Sequence, residues 1–153
     1  MKGRKHRSRR EPAPEPGSLW SAGLCAALYS AVVNAALVLA GVVAGIFPRL
    51  HLLPFRGSPF GLGSAVVVSM LAALIGTALY SLIWRRAERP LQVFGLLVSS
   101  VLLVSFAAPM FVDDWTAVRL TLIELTHLIV AGFTLWSVWR WTRDETHYLE
   151  ARG

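Results

Sequence analysis

Residues 62–86 read LGSAVVVSMLAALIGTALYSLIWRR, an uncharged run from Leu62 to Trp84 closed by Arg85-Arg86. A helix rising 1.5 Å per residue needs about 20 residues to cross about 30 Å of hydrocarbon. This run is long enough. It is also apolar on every face, whereas a helix on the surface of a soluble domain keeps a polar one. Its apolar residues are continuous, not alternating, which excludes the dyad pattern of a barrel strand. The stretch therefore predicts a transmembrane helix, and the arginines mark its end.

Three more such runs flank it. The spacing predicts spans over about 19–47, 62–84, 91–112 and 117–141. The whole 153-residue chain is 55% hydrophobic and only 16% charged, with a mean hydropathy of +0.55. A soluble domain carries about a quarter charged residues. Here the charges collect at the termini and in the gaps, because an ionised side chain in hydrocarbon costs several kcal/mol. The expected fold is all-α and membrane-embedded, a four-transmembrane-helix bundle with up-down-up-down topology. Residues 18–142 form the membrane domain. Residues 1–17 form a disordered basic cytoplasmic tail, rich in Pro and unable to bury enough surface to order itself. Residues 143–153 form a short cytoplasmic tail. Ser18 is expected to cap the first helix, and Asp113-Asp114 the fourth.

Basic residues set the orientation. With four spans, one side holds Lys2, Arg4, Lys5, Arg7, Arg9, Arg10, Arg85, Arg86, Arg89, Arg140, Arg143 and Arg152. The other holds only Arg49, Arg56 and Arg119. Twelve against three places both termini in the cytoplasm by the positive-inside rule. Trp20, Trp84, Trp139 and Trp141 fall at the cytoplasmic ends and Trp115 at an outer end, where an amphipathic ring suits the interface. The first run exceeds the roughly 7–15 apolar residues of a cleaved signal, so it reads as a retained signal-anchor. The outer loop, 48–61, combines prolines with Leu50, Leu52, Leu53, Phe55 and Phe60, and is expected to lie on the membrane or over the bundle mouth.

The net charge of +6 and pI near 10.4 do not indicate nucleic acid. The excess sits in residues 1–10, without a helix-turn-helix or RNA-binding motif, and fits anionic lipid instead. A single cysteine, Cys25, excludes an internal disulfide and a cysteine metal cluster.

Within the spans, small residues form stripes. Gly23, Ala27, Ser30, Asn34, Gly41 and Gly45 share one face of the first helix; Ala65, Ser69, Ala72, Gly76 and Tyr80 share one face of the second. The third offers Gly95 and Ser99. Such seams let backbones approach closely, so Gly41, Gly45, Gly76 and Gly95 are read as helix-packing positions, within the chain or between copies.

Three strongly polar residues interrupt the spans. Asn34 lies near the middle of the first. Glu124 and His127, three apart, share a face of the fourth. Facing lipid they would be costly, so all three are expected to point inward, with Tyr80 or Ser69 as neighbours. The cluster is either a register-fixing polar network or a proton or ligand site. Glu-x-x-His also occurs in di-iron bundles, but those need two such pairs plus further acids from other helices. With one pair and no other acid in any span, a single chain cannot build that site; only a homodimer could supply a second pair. No catalytic triad, phosphate loop or paired catalytic carboxylates are present, and no cofactor or enzyme activity is expected.

Several features together resemble a known family. These are the Asn in the first span, the Gly-containing second span, Arg89-Pro90 opening the third and Ser105-Phe-Ala-Ala-Pro109 ending it. The fourth carries Leu122-Ile-Glu-Leu-Thr-His127-Leu-Ile-Val-Ala131. The pattern is similar to the small bacterial four-helix membrane proteins grouped as domain of unknown function 6069. The resemblance implies the four-span fold and a bacterial inner (plasma) membrane, with no established activity to carry over. The expected function is that of a small structural or regulatory membrane component, self-associating or part of a larger membrane complex. The alternative is proton-linked solute transport or sensing through Asn34, Glu124 and His127.

Overall fold

A computed structural model describes the backbone of residues 16–47, 62–107 and 116–150, with side chains from 19 to 143 within those ranges. The basic tail, the outer loop 48–61, and Pro109, Asp113, Asp114 and Trp115 lie outside the described residues. Four α-helices and no strands occur among those described: α1 (Pro16–Val43), α2 (Leu62–Arg86), α3 (Pro90–Ala107) and α4 (Ala117–Glu150). Each holds a segment long and apolar enough to cross a membrane: Leu19–Val43, Leu62–Arg86, Pro90–Ala107 and Ala117–Arg143. The chain is a multi-pass, all-α membrane protein.

The helix ends follow local chemistry. Pro16 opens α1, a position that suits proline because the first-turn N–H groups lack partners anyway. The helix thus begins two residues before Ser18, which falls inside it instead of capping it. At its other end Gly45 adopts a positive φ of 72°. Its N–H reaches the Val42 carbonyl at 3.0 Å, and the Ile46 N–H reaches that of Gly41 at 2.9 Å. This paired pattern is the Schellman motif, which stops a helix by turning through a left-handed residue. The first helix therefore ends at Val43, short of the expected 47. Pro90 opens α3 after a three-residue link, 87–89. Thr116 caps α4, accepting from the Arg119 N–H at 3.4 Å. Beyond Trp141, α4 continues to Glu150, through most of what was expected to be tail.

In lipid, helices gain little by hiding apolar surface from one another, so close packing and hydrogen bonds hold a bundle together. Here α1 is central and packs along α2 and α4, while α3 rests on the flank against α2 and α4. A third of the α1 membrane window is buried, against 6% of that of α3. The only fully buried α3 side chain is Phe94.

One end of the bundle is tightly filled. Leu19, Tyr80, Phe94, Val138 and Trp141 form one buried cluster, drawn from the starts of α1 and α3 and the ends of α2 and α4. Tyr80 meets Phe94 edge-on at 5.2 Å, and Trp84 meets Trp141 at 5.3 Å and 73°. Edge-to-face contacts of this kind favour the ring quadrupoles. The Tyr80 hydroxyl and the Thr142 hydroxyl share a 2.8 Å hydrogen bond. Towards the middle, Ala26 and Ala27 pack with Ala73. A side chain on Gly23 would collide with Thr77. The Gly23–Ala27 part of the α1 seam is thus spent inside the chain, against α2.

Candidate functional site

Midway along the bundle the α1 stripe reaches Asn34, which is wholly buried. Neighbouring hydroxyls satisfy themselves on their own helices. Ser30 donates to the Ala27 carbonyl, Thr126 to Ile123 and Thr134 to Val130. Asn34 instead bonds across helices. Its amide nitrogen donates to Ser69 Oγ on α2 at 2.7 Å and to the Thr126 carbonyl on α4 at 3.3 Å. A carbonyl can only accept, so the Thr126 contact fixes which amide atom is nitrogen. Both N–H groups are then used. Oδ1 is left buried, without a hydrogen-bond partner among the described residues. An unmet buried acceptor costs about 1–3 kcal/mol.

Ser69, not Tyr80, is therefore the α2 neighbour of Asn34. Eleven residues along a helix correspond to roughly 16 Å. Tyr80 accordingly sits in the aromatic end, bonded to Thr142.

Glu124 and His127 stand on α4 as the three-residue spacing requires. His127 Nδ1 lies 3.8 Å from Glu124 Oε2, beyond hydrogen-bond range. The Glu124 side chain is 19% exposed and that of His127 43%. Both Glu124 oxygens and His127 Nδ1 are buried and lack hydrogen-bond partners among the described residues. No group of three or more His, Cys, Asp or Glu capable of holding a metal occurs among those residues.

Asn34 and His127 both line a cavity of about 470 Å³, walled by all four helices. Its remaining polar lining is confined to serine and threonine side chains, among them Ser69 and Thr126; the rest is apolar. Val68 and Ile75 of α2 and Val101 of α3 line it and are also exposed, so it opens sideways between α2 and α3. Gly76 lies on this wall, where an added Cβ would stand 3.0 Å from Thr134 Cγ2.

The four glycines divide by role. Gly76 brings α2 close to α4. Gly41 makes room for the Phe47 ring, which an added Cβ would meet at 2.6 Å. Gly45 and Gly95 would meet no described atom within 4 Å. Within one chain Gly45 turns the backbone and packs against no described atom, so Gly41-x-x-x-Gly45 ends the helix there. For Gly95 the structure offers no packing reason.

One contact had no sequence signal. Arg119 Nε donates to the Ile46 carbonyl at 2.9 Å, tying the start of α4 to the turn after α1. Seventy-three residues separate the pair, so only the fold brings them together.

The match to known proteins agrees with this architecture. The Family of unknown function (DUF6069) matches residues 14–144, which take in α1, α2, α3 and the transmembrane part of α4. The chain belongs to this family. The matched region includes Asn34, Glu124 and His127; of these, Asn34 and His127 line the cavity and Glu124 does not. No curated protein and no solved structure matches the chain.

Proposed function

We propose that this DUF6069 member is a small structural or regulatory component of a bacterial inner membrane, crossing it up-down-up-down with both termini cytoplasmic. The observation that carries the role is the Asn34 bridge. One side chain ties the central helix to α2 through Ser69 and to α4 through the Thr126 carbonyl, which fixes helix register and carries no chemistry of its own. Support for alternating topology comes from the aromatic cluster, where starts of α1 and α3 meet ends of α2 and α4. The same end carries Arg85, Arg86, Arg140 and Arg143, as the positive-inside rule asks of a cytoplasmic face. Arg143 lies over Trp139 at 4.6 Å, a cation–π pair suited to the interface. The flanking α3, with Leu96, Leu103 and Val104 exposed, is the surface offered to lipid or to a second membrane protein.

Two measurements on the full chain test this reading. In a Cys25→Ser background, a membrane-impermeant maleimide added to intact cells labels Gly57→Cys and spares Glu88→Cys. The reverse pattern inverts the topology. Purified protein in lipid nanodiscs has a mass above one chain if it self-associates, or co-purifies with a stoichiometric membrane partner. A lone monomer would remove the structural role.

A second reading has its own observation. The buried, unbonded Glu124 oxygens and His127 Nδ1 lie within a small side-chain rotation of each other, at 3.8 Å. Such a pair can pass a proton between carboxyl and imidazole, and intramembrane ionisable residues commonly do so in transporters and sensors. Glu124→Gln and His127→Ala then abolish proton-coupled solute uptake into vesicles while leaving the fold intact. If both variants lose only thermal stability, the pair is structural.

A further inference from the structure

We infer that the 470 Å³ cavity is a binding site for a lipid-soluble alcohol or phenol, its hydroxyl held at Asn34 and His127 and its apolar body lying between α2 and α3. Three observations lead there. The first is the wall. A space of this size falls within the range of small-molecule sites. It is lined mostly by aliphatic side chains with Phe47 and Phe94, a lining that suits an apolar ligand body.

The second is the leftover acceptor. Both N–H groups of Asn34 are engaged, at Ser69 and Thr126, and Oδ1 is not. What would complete Asn34 is therefore a donor, which a hydrocarbon tail lacks and a hydroxyl supplies. Oδ1 is shielded at the wall, but the terminal torsion of asparagine is soft and the Thr126 bond is the longer of the two. A small turn of the amide presents the oxygen. His127, on the same wall and only partly covered, offers the ligand hydroxyl a second polar partner.

The third observation is the entrance. The cavity opens sideways, past Val68, Ile75 and Val101, in a segment that the membrane surrounds. The ligand therefore arrives from the bilayer, which selects a molecule that dissolves there. This inference goes beyond the structural role and does not depend on which termini face the cytoplasm.

Thermal unfolding of the purified full chain in detergent tests it, using 2-naphthol and naphthalene as probes that differ by one hydroxyl. Ligand that binds the folded state raises the melting temperature. The expected result is a saturable rise with 2-naphthol that exceeds the rise with naphthalene. Asn34→Leu should reduce the 2-naphthol shift to that of naphthalene. Ala131→Phe, which places a ring in the cavity from α4, should abolish both shifts. Should Asn34→Leu fail to fold, the probe comparison on the unaltered chain and on Ala131→Phe decides the matter. Equal shifts from the two probes would overturn the hydroxyl site and leave a passive apolar groove. Shifts that survive Ala131→Phe would overturn the cavity as the site.

Discussion

The two halves of this bundle solve the same problem in opposite ways. The half at the α2–α3 link is filled by rings and by alanine-to-alanine contacts. The other half stays open, with α3 standing away from α1 and its polar groups only partly satisfied. In lipid, water cannot be expelled from between helices to drive them together, so fit is what holds them. The filled half supplies fit. The hollow half relies on a few cross-helix hydrogen bonds, those of Asn34 and Arg119. Packing is therefore concentrated in one half, and open space and unpaired polar atoms in the other.

Substitutions can break that division, and their expected effects fall in order. Tyr80→Ala removes a fully buried ring from the aromatic cluster. The cavity left behind should cost about 3–5 kcal/mol, read as a lower unfolding midpoint in a denaturing detergent titration. Gly23→Val drives a branched side chain into Thr77 at the α1–α2 seam, and overpacking of this kind costs about 1–3 kcal/mol. Asn34→Leu breaks both bridges but also removes the orphaned oxygen. The net loss should be about 1 kcal/mol, near the modest value of polar contacts between membrane helices. Tyr80→Phe deletes only the hydroxyl bond to Thr142 and should cost about 0.6 kcal/mol in the same titration. If Asn34→Leu proved costlier than Tyr80→Ala, the hollow half would be the stabilising one and the comparison would be inverted.

Much of the architecture was legible because bilayer physics writes it into composition. The charge-free runs gave the four helices, and α2, expected over 62–84, ends at Arg86. Legibility failed where one signal has two meanings. Gly41 and Gly45 are four apart, the spacing of a packing seam, yet the same glycine serves a left-handed helix stop. Nothing in the spacing separates the two. The extension of α4 was missed for another reason. Residues 142–150 contain no Pro or Gly to stop a helix, but their charges end the membrane segment, so membrane length and helix length part here. Thr116 caps α4 among the described residues, while Asp113-Asp114, the expected cap, lie outside them.

In the candidate site, the polar residues could be named from composition alone, and Asn34 is the one wholly buried. Their partners could not be named that way. Whether Asn34 meets Ser69 or Tyr80 depends on helix register across 35 residues of separation, which no local pattern encodes. The cavity was illegible as well. It exists because α3 sits to the side, and α3 is as apolar as the other spans.

The most direct test places the same bulk in the alanine seam and in the cavity wall. Ala73 is fully buried in the alanine seam, and Ala131 lines the cavity. Thermal unfolding of Ala73→Phe and Ala131→Phe in identical nanodiscs compares them. The account predicts a marked loss of melting temperature for Ala73→Phe, and none, or a small gain, for Ala131→Phe. Equal losses would contradict the hollow half, because a phenyl ring at position 131 would then have no space to enter.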